Sequence, residues 1–568
     1  MIKYYFSLFS IIIVRSAYTD DQDFCESKEC NGEFKRNNEF YSSVKHKGEI
    51  PLTLSHTLLD VLPLDEFDGN FNRVVTGCVF SECQPTPLKA PLTLAAVSLD
   101  VLCNVLDLDE SVIQKEEFLQ CVSGGKLFAG SVPLSHRYGG HQFGYWSGQL
   151  GDGRAHLLGE YTNGKGERWE LQLKGSGKTP YSRSGDGRAV IRSSVREFLC
   201  SEAMHFLGIP TSRALSLVVS EEPVWRDPFY NGNVKQERGA VVLRLAKSWF
   251  RIGSLEILTK AGEIHILRTL LEFVIKEHYR SIAANDPDKY VAFFFRAVNE
   301  TAHLISQWMS VGFAHGVCNT DNFSLLSVTI DYGPFGFMES YDPNFVPNTS
   351  DDEDRYSIGS QANVGLFNLQ KLLEALQPLL TADQLSQSQQ ILKEYPQIYQ
   401  RRFHELFKAK LGLLGHEEED SYLIAFFLKL MEDSRADFTM TVRQLSEVSP
   451  SQLENGSVPQ SMWALSVLSS QEYFANWVEL YSKRLSRQHG DSDEARQHRM
   501  QRVNPRYVLR NWMAESAIRK AEKNDFSEVA LLQQILMKPF VEQEEAERAG
   551  YSSKTPLWAQ HLRVSCSS

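Results

Sequence analysis

Trp169-Glu-Leu-Gln-Leu-Lys174 decides the architecture of this 568-residue chain. Its apolar and polar side chains alternate with the period of a β-strand, so the apolar ones are predicted to face a core and Gln172 and Lys174 to face the opposite way. Asn163-Gly-Lys-Gly166, just before it, is typical of a hairpin turn, because Asn and Gly tolerate positive φ. Ser194-Val-Arg-Glu197, after it, is predicted to open a helix.

The remaining patterns place strands early in the chain and helices late. A second strand pair is predicted at Ala214–Val219 and Ala240–Leu245, and beyond Gly262 the periodicity is mostly helical. Strands are expected to flank Asp331. A strand-rich half with one prominent helix followed by a helical half indicates an α+β fold with a cleft between two lobes.

Composition argues against several classes of protein. The formal net charge of −12 argues against a general nucleic-acid surface, although a local basic cleft could still hold ATP. The nine cysteines lack zinc-site spacing and are interpreted mostly as buried reduced thiols. No stretch is apolar and long enough to predict a stable membrane span.

The first residues are interpreted separately from the fold. Lys3 precedes an apolar run, Tyr4–Val14, that is too short to cross a bilayer and has the length of a secretory signal core. Residues 1–17 are therefore predicted to be a targeting segment, and residues 18–48 to be polar and irregular.

Two glycine-bearing stretches and one lysine suit phosphate groups. Gly148-Gln-Leu-Gly-Asp-Gly-Arg154 and Gly185-Asp-Gly-Arg188 could let backbone N–H groups approach phosphates closely, with Lys174 nearby. The plainer interpretation is that both are ordinary turns and that Lys174 is solvated. Glu197 also has two possible roles, as a partner of Lys174 or as part of a helix capping box, because Ser194-x-x-Glu197 matches the capping-box pattern. Glu202 is the other candidate partner for Lys174.

A later set of carboxylates and an amide suits a hard cation. Asn322 and Asp331 could each give Mg²⁺ an oxygen ligand, leaving Asp321 to orient or deprotonate an attacking hydroxyl. An Asx-turn at Asn319–Asn322 with a strand-end Asp331 explains the same residues without catalysis. These residues alone point to transfer of part of a nucleoside triphosphate, and the spacing alone suggests a kinase.

Several long motifs resemble the selenoprotein O family. They occur in the same order as in that family and extend over most of the chain. The motifs are Arg137-Tyr-Gly-Gly-His-Gln-Phe-Gly144, Gly148–Arg154, Leu173–Arg183, His315-Gly-Val-Cys-Asn-Thr-Asp-Asn322, Thr329–Phe337 and Asn504–Asn511.

The resemblance implies a protein-kinase-like, two-lobed fold that binds ATP in an inverted orientation. It implies protein AMPylation, in which AMP passes from ATP to a Ser, Thr or Tyr hydroxyl of a protein substrate and pyrophosphate leaves. It implies Mg²⁺ as cofactor, with Mn²⁺ as an alternative. A conventional γ-phosphoryl kinase and a nucleotide-binding pseudokinase scaffold remain the competing functions.

The resemblance also assigns roles by motif position. Asp321 would accept the proton, Lys174 would hold phosphates while paired to Glu197, and Asn322 and Asp331 would bind metal, with Asp331 also beside the nucleotide. The remaining nucleotide contacts would be Gly151, Gly153, Arg154, Asp186 and Gly187, with Arg244 and Arg251 at the terminal phosphate.

The implied boundaries are 49–245 for an N-terminal extension and N-lobe, 246–545 for a helical C-lobe and 546–568 for a tail. Many animal members end in Cys-x-x-selenocysteine, whereas here Arg563 stands at the partner position of Cys566, so no redox pair is expected there. Family resemblance implies a mitochondrial location, and the leader a secretory one as the alternative.

Overall fold

The strands gather between Phe80 and Ala246. The structure is a computed structural model that describes residues 49–565, so the predictions on 1–17, 18–48 and Cys566 lie outside the described residues. The strands in this region are β1 Phe80–Glu82, β2 Leu92–Val97, β3 Leu134–His136, β4 His141–Gln142, β5 Tyr145–Trp146, β6 Ala155–Thr162, β7 Arg168–Lys174, β8 Ala189–Val190, β9 Arg213–Arg226 and β10 Lys235–Ala246.

One antiparallel sheet contains most of these strands, in the order β1-β3-β6-β7-β10-β9-β2, with β8 pairing to β10. The Asn163–Gly166 turn joins β6 to β7, as predicted. The predicted second pair forms β9 and β10, with Val219 opposite Ala240. In β7 and β10, Gln172 lies opposite Arg244. This register brings two polar side chains to the same face of the sheet.

The helices occupy mainly the second part of the chain. They are α1 Glu116–Ser123, α2 Ile191–Phe206, α3 Ile252–Lys260, α4 Ile264–His278, α5 Lys289–Ser310, α6 Gln361–Leu376, α7 Ala382–Lys410, α8 Asp420–Ser434, α9 Phe438–Leu445, α10 Pro450–Glu454, α11 Trp463–Ser469, α12 Phe474–Ser486, α13 Asp493–Val503, α14 Asn511–Ala521, α15 Ser527–Leu536 and α16 Glu544–Arg548. A mixed fold with a sheet-rich region and a helical C-terminal part is confirmed. The division into two lobes stays a prediction.

The two faces of the sheet bury different layers. Leu171 and Leu173 belong to an apolar cluster that includes Phe118 of α1. The opposite face packs on α2, whose Phe198 shares one continuous cluster with residues of α4, α14 and α15. Gln172, on this second face, is fully buried. The alternation in β7 therefore separates two buried layers rather than a core from solvent.

Helix α2 begins at Ile191, before the predicted N-cap at Ser194. It follows β8 directly, with Val190 as its N-cap and no side-chain cap. Ser194 therefore lies inside the helix, and the capping-box interpretation of Glu197 is wrong. Near the other end, Gly208 has a φ of +78° and ends the helix as predicted.

The segment around Asp331 is less regular than predicted. The strands on either side, β11 Phe313–Ala314 and β12 Gly336–Phe337, have two residues each and pair antiparallel. Asp331 itself has a φ of +57°, in the left-handed region. Among residues 49–565, no helix has the length and apolar character needed to cross a membrane.

Candidate active site

Lys174 and Glu197 form the ion pair that links the sheet to α2. Lys174 is the last residue of β7, and its Nζ lies 2.5 Å from Glu197 Oε2. Glu202, the other candidate, instead accepts two hydrogen bonds from Arg213, at 2.8 Å each. The structure therefore selects Glu197 as the partner of Lys174.

Asp331 is the meeting point of three cationic side chains. Arg244 Nη1 donates to its Oδ1 at 2.5 Å, and Arg251 Nη1 donates to its Oδ2 at 2.7 Å. Lys174 Nζ lies 3.5 Å from Oδ1. Arg244 also donates to Glu197 Oε1 at 2.7 Å. Residues more than 150 positions apart are thus joined in one charged network.

Burial and neighbouring charges shift the pKa values of this network in opposite directions. Burial by itself would raise the pKa of the Asp331 carboxyl, but Arg244, Arg251 and Lys174 outweigh it and hold that pKa well below its ordinary value. Burial lowers the pKa of Lys174, and the Glu197 carboxylate opposes this effect. Asp331 is therefore a carboxylate at neutral pH.

Asp321 lies beside the network in a different environment. It belongs to a short 3-10 helix, Thr320–Asn322, and its backbone carbonyl accepts a hydrogen bond from Arg251 Nη1 at 2.9 Å. Its Oδ1 is buried and has no hydrogen-bond partner among the residues that the structure describes. Burial raises the pKa of this carboxyl to about 7. A carboxylate with this pKa can accept a proton near neutral pH.

These residues surround a cleft of about 980 Å³, large enough for a nucleotide. Arg251 is the exception: it is 1% exposed and does not line the cleft, which it reaches through its hydrogen bonds to Asp321 and Asp331. The other predicted site residues line the cleft. They are Gly151, Gly153, Arg154, Lys174, Asp186, Gly187, Glu197, Arg244, Asp321, Asn322 and Asp331.

The two glycine stretches have packing roles in the cleft wall. Gly151 has a φ of +75°, and a Cβ there would lie 2.3 Å from Cγ of Tyr181. Gly187 has the same φ, and a Cβ there would lie 2.1 Å from the backbone carbon of Gly177. Both positions therefore require glycine. Asp186 accepts hydrogen bonds from both Nη atoms of Arg226, at 2.7 and 2.8 Å.

Asn322 and Asp331 suit a hard cation by the chemistry of their donor atoms. Asn322 Nδ2 donates to the Val317 carbonyl at 2.9 Å, which directs its amide oxygen away from that contact. Within residues 49–565, no group of three or more His, Cys, Asp and Glu side chains could hold a metal ion. Asn322 and Asp331 both line the cleft, so an oxygen-preferring cation bound there would have these two side chains as protein ligands.

Several residues that contact the predicted site residues were not themselves predicted as site residues. Gln172 Oε1 accepts from both Nε and Nη2 of Arg244, at 2.9 and 2.6 Å, and Gln172 Nε2 donates to buried Asp152 at 3.1 Å. Gln142 contacts Asp321. Gln172 could have been found from its place on the polar face of β7, two residues before Lys174.

Comparison with known proteins identifies the family. Residues 80–537 match the family model described as "Protein adenylyltransferase SelO". The chain belongs to the SelO family. This SelO-family chain is 42% identical over 519 residues to protein nucleotidyltransferase YdiU of Azoarcus sp. (strain BH72), covering 91% of this chain and 98% of the relative. It is 43% identical over 514 residues to the YdiU protein of Pseudomonas fluorescens (strain SBW25), covering 89% and 99%.

Family membership makes this chain an enzyme of the nucleotidyltransferase type. It also corrects the predicted location. The YdiU relatives come from bacteria, among them Thiobacillus denitrificans, whose protein is 42% identical over 503 residues. The mitochondrial prediction, and the secretory alternative taken from the leader, are contradicted by these bacterial relatives.

Proposed function

We propose that this chain transfers AMP from ATP to Ser, Thr or Tyr hydroxyls of protein substrates, with Mg²⁺, on a protein-kinase-like, two-lobed fold. The observation that carries the proposal is the convergence of Lys174, Arg244 and Arg251 on Asp331, in a cleft also lined by Asp321. Membership in a family described as protein adenylyltransferases favours AMP as the transferred group.

Lys174, Arg244 and Arg251 would neutralise the triphosphate. Arg244 and Lys174 line the cleft, and guanidinium groups match phosphate oxygens in pairs. Arg251 Nη2 is buried without a hydrogen-bond partner among the described residues and lies 4.0 Å from Asp152 Oδ1. Arginines at the leaving pyrophosphate would stabilise its developing charge in the transition state.

Asp321 would accept the proton of the attacking hydroxyl. The hydroxyl oxygen forms a bond to the α-phosphorus while the bond from that phosphorus to the oxygen bridging to the β-phosphate breaks. Pyrophosphate leaves with the electron pair, and the proton passes to Asp321. Two observations support this role: Asp321 lines the cleft, and burial raises the pKa of its carboxyl to about 7.

The other cleft residues would position the nucleotide and its metal. Gly151, Gly153 and Arg154 would contact it on one side, and Asp186 and Gly187 at the second glycine stretch. Asn322 and Asp331 would hold Mg²⁺, and Mn²⁺ takes similar oxygen ligands. When bound, the metal supplies charge neutralisation at the phosphates.

Labelled ATP separates this proposal from its alternatives. The Lys174–Glu197 pair also suits a γ-phosphoryl kinase, since such a pair positions phosphates there too. With protein substrates, we expect label from α-labelled ATP to become covalently attached and label from γ-labelled ATP to be released as pyrophosphate. Attachment of γ-label alone would indicate a kinase, and attachment of neither label would indicate a nucleotide-binding scaffold.

Metal removal should stop the reaction. We expect excess EDTA to abolish attachment of α-label and added Mg²⁺ to restore it, because an ion held by only two protein side chains, Asn322 and Asp331, would exchange readily with a chelator. The measurement is transfer before EDTA, after EDTA and after readdition of Mg²⁺, with melting curves to check the fold. Full transfer in EDTA would contradict the metal assignment.

A further inference from the structure

A small hairpin from the strand-rich region lies against the segment that carries Asp321. It comprises β4, β5 and the residues Gly139–Trp146 around them, here called the docking hairpin. His141 N donates to Thr320 Oγ1 at 2.7 Å, and Gly139 N donates to the Gly253 carbonyl at 3.0 Å. These contacts fix the hairpin on both the Asp321 segment and α3.

A tyrosine hydroxyl adds a third attachment. Phe143 N donates to the hydroxyl of Tyr356 at 2.9 Å, and that hydroxyl donates to Asn319 Oδ1 at 2.5 Å. Asn319 is the residue before the short helix that holds Asp321. The docking hairpin therefore contacts the Asp321 segment through backbone groups at two points, which leaves the side chain between them free for another contact.

Gln142 makes that contact. Its Nε2 donates to Asp321 Oδ2 at 3.1 Å, and both side chains line the cleft. Asp321 Oδ1 is the oxygen without a partner among residues 49–565. An amide donor on one oxygen limits rotation of the carboxylate about its last torsion angle, which is broad when nothing holds it. The orientation of the Asp321 carboxylate in the cleft is thus set by Gln142.

The close approach of the two segments depends on Gly140. A Cβ at this position would lie 2.8 Å from Asp321 Oδ1 and 2.9 Å from Asp321 Cβ. Contacts this short require one of the two segments to shift. The docking hairpin therefore contacts the Asp321 carboxylate in two ways, through the hydrogen bond from Gln142 and through the close packing of Gly140.

We propose that Gln142 is a positioning residue, which holds the Asp321 carboxylate in the orientation from which it accepts the proton of the attacking hydroxyl. This inference rests on the proposed function of Asp321. Gln142 is neutral and can donate to a carboxylate without forming the ion pair that a lysine or arginine would form there. Gln142 therefore orients the proton acceptor without neutralising the negative charge of Asp321.

Gln142→Leu tests this role, since leucine cannot donate. We expect kcat for AMP transfer to fall about 10- to 100-fold, as for loss of a hydrogen bond to a charged group that matters in the transition state. The KM for ATP should stay within about twofold, because the triphosphate contacts are untouched. A purely structural role would instead lower the melting temperature or change both constants together.

A double-mutant cycle with Asp321→Asn shows whether Gln142 acts through Asp321. Asp321→Asn alone should lower kcat about 10²- to 10⁴-fold. If the inference holds, adding Gln142→Leu to Asp321→Asn causes no further loss, because the oriented group is already gone. Multiplying effects would overturn it.

Two further variants separate orientation from folding. Gly140→Ala should lower kcat at least as much as Gln142→Leu, with ATP binding retained in calorimetry. Tyr145→Ala changes an exposed residue of the same hairpin, 75% accessible, and should keep the kcat of the unmodified chain. Unchanged kcat in folded Gln142→Leu, alongside an inactive Asp321→Asn, would refute the positioning role alone. Absence of AMP transfer by the unmodified chain would refute the proposed function instead.

Discussion

Asp331→Asn is expected to lower AMP transfer by about 1,000-fold, the order seen when a preorganised charge contact in a transition state is lost. The amide keeps the shape of the carboxylate but cannot balance Lys174, Arg244 and Arg251 together. It is also a poorer ligand for Mg²⁺ than a carboxylate. We therefore expect the loss of activity to be accompanied by a changed arrangement of these three cations.

The measurement needs a control for folding, because removing one partner of a buried charge network destabilises a protein. Asp437→Asn is the matched variant. Asp437 is buried, accepts two hydrogen bonds from Arg510 at 2.7 and 3.0 Å, and lies outside the cleft. Transfer of α-label should be normal in Asp437→Asn at a temperature where both variants are folded. A folded Asp331→Asn with more than about a tenth of normal transfer would contradict the role of Asp331.

Lys174→Met is expected to lower transfer by about 100-fold, consistent with loss of one positioned cation at the phosphates. Methionine retains most of the side-chain stem, and Glu197 retains its hydrogen bond from Arg244 at 2.7 Å. The fold should therefore survive better than in Asp331→Asn. Single-turnover rates at saturating ATP and the Kd for ATP would separate weaker positioning from weaker binding.

Lys247→Met provides the comparison for Lys174→Met. Lys247 comes directly after β10 and also pairs with a glutamate, Glu167, at 3.2 Å, but on the surface. Its loss removes a lysine–glutamate pair without touching the cleft, so transfer should be unchanged. Equal activity in both variants would exclude Lys174 from phosphate positioning.

The strands and turns near the site could be predicted from the sequence, because side-chain alternation and turn-forming residues are local properties of the chain. Alternation in β7 placed Gln172 and Lys174 on one face, and the Asn163–Gly166 turn fixed the hairpin before it. The predicted start of α2 was wrong because Ser194 and Glu197 match the sequence pattern of a capping box. The N-cap is instead Val190, which has no side chain that could cap the helix and so leaves no signal in the sequence.

The arrangement around Asp331 could be predicted only in part. Motif resemblance named Arg244 and Arg251 as phosphate contacts, but no local pattern shows that both donate to Asp331 or that Arg244 also donates to Glu197. Those contacts depend on how distant segments pack. The positive φ of Asp331 has the same origin, since the surrounding structure imposes it.

The continuous apolar cluster beneath α2 has a practical consequence for protein production. Phe198 of α2 and Val242 of β10 share it with Leu270 of α4, Ala517 of α14 and Leu532 of α15. Cutting the chain after β10 would expose a large apolar surface on each fragment, and such surfaces aggregate. The sheet-bearing fragment should therefore be recovered in usable form only when it is co-expressed with the helical one.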